Sequence, residues 1–266
     1  MQPQLRCAGS RRAPVSSEPE AELVLLAPPL SARQEVAGWH YVDSSRFAVV
    51  ACNPQRALYY KAFLPRGWPE RLKALLRGGR GRRARDNSDA LLHCGFPAPV
   101  NVLWGRTPGG AEYLFTRLVP GDPVPQWLRR FADAGAADRR RTFLRALGTQ
   151  VGRLHGSGFV HGDLRPGNIL ADRQGERYRF TFIDNESNSR HREVPGKLLL
   201  KNLVQLNMLP AHQLSRSDRW RFFRAWASQM SALEPVESRV LARAAYDTAM
   251  RRMRRKQAER ADYAAF

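Results

Sequence analysis

The chain reads His161-Gly162-Asp163-Leu164-Arg165-Pro166-Gly167-Asn168-Ile169-Leu170, with an acid and a carboxamide five residues apart in a Pro- and Gly-containing loop. Twenty-one residues after Asp163 a second acid, Asp184, closes the stretch Phe182-Ile183-Asp184 and is followed by Asn185-Glu186. The chemistry that needs this spacing is phosphoryl transfer. One carboxylate, Asp163, orients or accepts the proton of an attacking hydroxyl. Five residues on, across a tight loop, a carboxamide such as that of Asn168 would have to reach a metal ion on nucleotide phosphates.

The stretch resembles the catalytic loop of the protein-kinase-like fold, whose pattern is His-x-Asp-Leu-x-x-x-x-Asn. The resemblance implies that Asp184 is the second metal-binding carboxylate. Phe-Gly usually follows that acid; here Asn185-Glu186 does, so motion of a Phe is not the on–off switch. The resemblance also implies a strand lysine on the α- and β-phosphates. Lys61, in Tyr59-Tyr60-Lys61-Ala62-Phe63, lies inside an apolar strand pattern, whereas its competitor Lys73 lies in a basic stretch with no strand signal. Such a lysine is expected to pair with an acid on the following helix. That helix has no glutamate, leaving Asp86 and Asp89, of which Asp86 is preferred. No Gly-x-Gly-x-x-Gly is present, and Asp43-Ser44-Ser45 is the candidate phosphate-cradling turn. Arg165 is assigned to neutralise charge on the γ-phosphoryl group. His161 is read as a structural hydrogen-bonding residue and His155 as packing. Glu186 is left between support of the metal and a cap on the next turn.

These residues need elements to position them. Phe47–Cys52 and Ala57–Phe63 read as strands around the turn Asn53-Pro54-Gln55-Arg56. A basic, Gly-broken stretch ends in a short helix over about Ala84–His93, closed by Gly95 and Pro97. Val100–Trp104 and Glu112–Leu118 are further strands, and Val119-Pro120-Gly121-Asp122-Pro123 is the main break. Beyond it Asp138 is the expected cap of a helix with Phe143, Leu147, Val151 and Leu154 on one face. Two short strands, Ile169–Ala171 and Tyr178–Ile183, follow, and then helices near 197–207, 217–230 and 237–259. The expected fold is α+β, protein-kinase-like and bilobal. Residues 1–34 are expected to be a flexible leader, 35–120 a β-rich N-lobe and 121–266 a small α-rich C-lobe with a basic C-terminal helix.

Composition bounds the function. The 266 residues carry 44 Lys+Arg against 24 Asp+Glu, a net charge of +20 that asks for a polyanionic partner. A hydrophobic fraction of 43% excludes a wholly disordered chain. Cys7, Cys52 and Cys94 are odd in number and show no metal-ligand spacing, which argues against a disulfide framework or a structural zinc and for a reducing compartment. The apolar run Leu23–Leu30 is too short and Pro-interrupted to span a bilayer, and no secretory signal pattern opens the chain. The basic tracts Gly78–Arg85 and Arg251–Lys256 lack any nucleic-acid motif or interleaved aromatics, so nucleic acid is not the expected partner.

Several segments together are similar to the lipopolysaccharide kinase family, the Kdo and heptose kinases of the lipopolysaccharide core. They are Tyr59-Tyr60-Lys61, Gly95-Phe96-Pro97-Ala98-Pro99, Leu154–Leu164, Phe182–Glu186, Asn202–Asn207 and Leu214–Trp226, within about residues 38–230. The resemblance implies ATP-dependent phosphorylation of a core sugar hydroxyl, with Mg2+, on lipopolysaccharide core or a precursor glycolipid at the cytoplasmic face of the inner membrane. Two features favour such an acceptor over a protein. Only about 14 residues separate Asp184 from the helix near Leu198, too few for a long activation segment. Gly162 also replaces the arginine that answers to activation-loop phosphorylation in many protein kinases. A phosphotransferase for a soluble small molecule, a kinase-fold pseudoenzyme and a basic nucleic-acid-binding protein stand as alternatives. The basic tail Arg251–Arg260 has two readings, a solvated helix or a contact for anionic lipid head groups.

Overall fold

The strand at Lys61 continues the hydrophobic alternation of its neighbours into a five-stranded antiparallel sheet. The computed structural model describes residues 20–65 and 78–264; Lys73 and the leader up to residue 19 lie outside the described residues. They fall into two units, one running to Val119 and including Asp184–Ser187, the other comprising Pro120–Ile183 and the residues from Asn188 onward.

In the first unit the strands are β1 (His40–Val42), β2 (Ala48–Asn53), β3 (Leu58–Phe63), β4 (Asn101–Arg106) and β5 (Glu112–Arg117), ordered β1-β2-β3-β5-β4. The β2–β3 turn forms because the Asn53 side-chain oxygen accepts from Arg56 N–H at 3.0 Å. Lys61 is paired with Val50 on one side and Leu114 on the other, in the middle of the sheet. Alternation along β3 sends Leu58, Tyr60 and Ala62 to one face and Lys61 and Phe63 to the opposite face.

The first of these faces is covered by a helix where the sequence reads as a leader. Glu20–Ser31 forms α1, and Leu23, Ala27 and Leu30 are completely buried against Leu58, Tyr60, Ala62 and Phe115. Pro28 and Pro29 argue against a helix locally, at a cost of about 3 kcal/mol for an interior proline. The four- and three-residue spacing of the buried side chains offsets that cost through tertiary burial. The Tyr60 hydroxyl ties the layers together, donating to Ala27 O at 3.0 Å and lying 2.6 Å from Ser31 Oγ.

The other face meets α2 (Arg80–His93), through Ala84 packed on Phe63 and Leu114. This helix begins one turn before the expected Ala84. Arg80 and Gly81, which by composition belong to a solvent-facing basic stretch, are buried. Glu112 Oε2 accepts from Gly81 N–H at 2.8 Å, and a Cβ at Gly81 would meet Glu112, Phe63 and Trp104. Glycine is needed there for close approach. The carboxylate then sits at the positive end of the helix.

The second unit holds α3 (Val124–Asp133), α4 (Ala137–Gly156), α5 (Gly196–Leu206), α6 (Arg216–Ala227) and α7 (Pro235–Ala264). Its strands are β6 (Asp122–Pro123), β7 (Phe159–Val160), β8 (Ile169–Gln174), β9 (Arg177–Phe182) and β10 (Ser189–Arg190). β8 and β9 form a hairpin with β6 on the β8 edge, while β7 pairs with β10. The α4 stripe Phe143, Leu147, Val151 and Leu154 is buried. Asp138 does not cap α4. Ala136 occupies that position, and Asp138 pairs with Arg141 within the first turn at 2.9 Å. α4 crosses α6 closely because Gly148 and Gly152 have no side chain; a Cβ on either would strike the backbone of Phe222 or Trp226. α6 starts on a capping box, Ser215 with Asp218, and Asp218 also holds Arg140 of α4 at 2.9 Å.

Candidate active site

The loop between β7 and β8 is held by side chains rather than by sheet pairing. His161 is 1% exposed. Its Nδ1 accepts from Asp163 N–H at 3.1 Å, so its Nε2 carries the proton and donates to Ile183 O at 3.0 Å. With both ring nitrogens spent on the backbone, His161 is structural. His155 is likewise structural, accepting from Trp226 Nε1–H at 2.9 Å and donating from Nε2 to Asn202 Oδ1 at 3.1 Å. Burial pushes its imidazole down to about 4.

Three α5 residues frame the loop: Lys201 Nζ donates to Gly162 O at 3.0 Å, and Asn202 and Gln205 lie one turn apart. Asn202 Nδ2 donates to His161 O at 2.8 Å and its Oδ1 accepts from His161 N–H at 3.2 Å. Gln205 Oε1 accepts from Leu164 N–H at 3.1 Å, which leaves its Nε2 to donate to Asp163 Oδ1 at 3.0 Å. Arg165 Nε lies 2.9 Å from the same carboxylate oxygen. Asn168 Nδ2 donates to Asp163 O at 2.8 Å and to Asp163 Oδ2 at 3.3 Å. Asp163, Arg165 and Asn168 are therefore brought together, with Asp163 about one-third exposed. Sequence reasoning does not single out Asn202 and Gln205 as site residues. Their signals are the i, i+3 placement of two carboxamides on one helix and their place in the segment Asn202–Asn207 that resembles the lipopolysaccharide kinases.

A second cluster forms in the first unit. Lys61 Nζ donates to Asp184 Oδ1 at 2.6 Å and lies 5.1 Å from the centroid of the Phe63 ring. Burial, reinforced by Cys52 and Asp184, pushes the nearby Tyr59 hydroxyl up to about 12, so it stays neutral there. Asp184 has φ 65, in the left-handed region that few non-glycine residues occupy. It begins the turn Asp184–Ser187, which packs on α2. Glu186 receives Arg80 Nη2 through both carboxylate oxygens, at 2.9 and 3.1 Å. Neither alternative raised for Glu186, metal support or turn cap, includes this pairing.

The expected Lys61–Asp86 pair is not formed. Asp86 accepts from Arg85 at 2.7 and 2.9 Å, approaches Arg82 at 3.5 Å and is half exposed. The α2 residues that face the 184–187 turn are Arg80, Arg83, Asn87 and Ser88 instead. Asp89 accepts from Asn101 at 2.9 Å. Asp43-Ser44-Ser45 does lie in the β1–β2 connection, where Ser44 Oγ donates to Ala48 O at 2.9 Å.

Among the described residues no group of three or more His, Cys, Asp or Glu gathers as a metal-binding cluster. Magnesium does not require one, since it is held by one or two protein oxygens together with phosphate and water. The carboxylate of Asp184 and the carboxamide oxygen of Asn168, whose nitrogen is the end bonded to Asp163, are hard donors of that kind. A groove of about 1010 Å3 is lined by α6 and α7 through Trp220, Tyr246 and Met250, and contains none of these residues.

The model of the lipopolysaccharide kinase (Kdo/WaaP) family matches residues 83–226. A solved structure of WaaP in complex with acyl carrier protein aligns with TM-score 0.56 at 18% identity, over 92% of this chain and 98% of that one. WbdD aligns with TM-score 0.46 at 21% identity, over 78% and 45% of the two chains. A mutant form of the kinase domain of Mycobacterium tuberculosis PknI gives 0.42 at 16% identity, over 80% and 96%. No curated protein sequence matches the chain. The likeness to WaaP shows a protein-kinase-like fold.

Proposed function

The chain belongs to the lipopolysaccharide kinase (Kdo/WaaP) family, and from that premise we propose that it transfers the γ-phosphoryl group of ATP to a Kdo or heptose hydroxyl of the lipopolysaccharide core. The observation that carries this reading is the setting of Asp163, whose carboxylate is aimed by Gln205, Arg165 and Asn168 on a loop pinned by His161 and Asn202. In the transfer the acceptor oxygen forms its bond to the γ-phosphorus while the bond to the bridging oxygen of ADP breaks, and the acceptor proton passes to Asp163. Lys61 fixes the non-transferred phosphates. Arg165, more than two-thirds exposed, offers its guanidinium to the γ-phosphoryl oxygens as charge shifts among them. Asn168 and Asp184 would hold magnesium, which when bound neutralises phosphate charge.

The two units serve as N- and C-lobes, divided near residue 120. The excess positive charge suits an anionic glycolipid acceptor and peripheral attachment at the cytoplasmic face of the inner membrane. Among the described residues no helix is long and apolar enough to cross a membrane. A protein partner is proposed by analogy alone, since the WaaP structure is a complex with acyl carrier protein.

The test is ATP transfer to purified core oligosaccharides and lipid A precursors, read by mass spectrometry. The expected product is a core sugar carrying one added phosphate. Asp163→Ala should lower the rate by at least about 100-fold without loss of fold. Retained turnover in Asp163→Ala, or absence of phosphate on every core acceptor, overturns the reading.

A further inference from the structure

The side chain of Arg80 joins three segments of the first unit. Its Nη1 donates to Phe47 O at 2.9 Å, at the end of the β1–β2 connection, and to Leu64 O at 3.2 Å, just beyond β3. Its Nη2 grips both oxygens of Glu186, and its guanidinium lies 5.3 Å from the Phe63 ring centroid. The pair is nearly sealed from water, with Arg80 6% and Glu186 11% exposed at the side chain. Below it on the same helix face, Arg83 Nε donates to Glu186 O at 3.3 Å and Asn87 Nδ2 donates to Asn185 O at 2.7 Å. Asn185 Nδ2 in turn donates to Ser88 Oγ at 3.1 Å. The two residues after Asp184 are thus anchored through side chain and backbone to one face of α2. Asp184 itself sits at a backbone conformation that needs such support.

Lys61, by contrast, is bonded to Asp184, while the two acids of α2 are engaged elsewhere, Asp86 by Arg85 and Asp89 by Asn101. We propose that the Arg80–Glu186 pair is the positioning device of this site, with the cation on the helix and the acid on the turn, and that it sets Asp184 for its metal ion. It ties the helix into the site as the lysine–helix glutamate pair does in many kinases, but here the helix supplies the cation and the 184–187 turn, not the Lys61 strand, supplies its partner. The same guanidinium, by holding Phe47 and Leu64, keeps the β1–β2 connection and the end of the Lys61 strand in register with that acid. Arg80 and Glu186 are positioning residues; neither is assigned to touch the nucleotide. The inference rests on the kinase reading, because it gives Asp184 a metal to hold.

The experiment is binding of Mn2+ with a non-hydrolysable ATP analogue to the full chain, followed by electron paramagnetic resonance. It compares wild type, Glu186→Gln and Arg80→Met, each checked for fold by circular dichroism. Glu186→Gln preserves the size of the side chain and removes its charge. The expected result is metal affinity weakened by about 10–100-fold in Glu186→Gln and Arg80→Met. ATP turnover should show the loss in kcat and in the Mg2+ requirement rather than in the KM for the acceptor. A folded Glu186→Gln protein with wild-type metal affinity overturns this proposal and leaves the kinase reading standing. Wild-type protein that binds no metal–nucleotide overturns both.

Discussion

At the scale of single residues, the site is a set of hydrogen bonds whose donors and acceptors are already allotted. Gln205 can donate to Asp163 only because its oxygen is occupied by Leu164 N–H, and the Asp163 amide fixes which nitrogen of His161 carries the proton. His155 supports the same frame from beneath, through Asn202. Its imidazole is held at about 4 by burial, against an ordinary value of 6.5. The folded state keeps it neutral through a range in which the unfolded chain takes up a proton. Its contribution to stability is therefore complete above about pH 6.5 and is lost progressively as pH falls toward 4. The loss is on the order of 3 kcal/mol. Thermal unfolding across about pH 8 to 4 should show this decline in wild type and a flatter profile in His155→Gln; identical slopes would refute the assignment.

At the scale of elements, a helix enters where local signals point to a leader. α1 has two prolines and an exposed Leu25, so its sequence looks unsuited to a stable helix. What holds it is the apolar sheet face beneath, which would otherwise expose Leu58, Tyr60 and Ala62. Leu23→Ala should cost about 2–5 kcal/mol of unfolding free energy. Leu25→Ala, at a side chain 75% exposed, should change it by no more than about 0.5 kcal/mol. Urea unfolding of the two variants decides the matter, and equal stabilities would mean that α1 adds nothing to the fold. The same logic moves the start of α2 to Arg80, whose buried charge is tolerable only because Glu186 and two carbonyls answer it.

For the whole molecule, the net charge of +20 has a definite consequence for association. Arg251, Arg252, Arg254 and Arg255 are exposed on α7, and four like charges within little more than one turn attract an anionic surface over about a Debye length. Flotation with vesicles containing anionic phospholipid should carry the protein upward at low salt and release it as salt rises. Replacing these four arginines by glutamine should reduce flotation, while transfer to a free core oligosaccharide persists. Equal flotation of the two proteins would remove α7 from the membrane proposal. The test matters because the charge by itself also suits nucleic acid, and membership of a lipopolysaccharide kinase family turns the expectation toward a glycolipid.

The amino-acid sequence alone determined the loop from His161 to Asn168, the acid at Asp184, the lysine strand and the break before the helical half. Each is a matter of residue type at short spacing, and neighbours along the chain set it. The partners of those residues were decided only in three dimensions. Lys61 meets Asp184 at a separation of 123 residues, and Arg80 meets Glu186 at 106. Asp86, the nearer acid by sequence logic, is turned to solvent and paired on its own helix. Burial makes the difference: a charge excluded from water must find its counter-charge wherever the packed chain brings one, and periodicity along the sequence does not specify where that is.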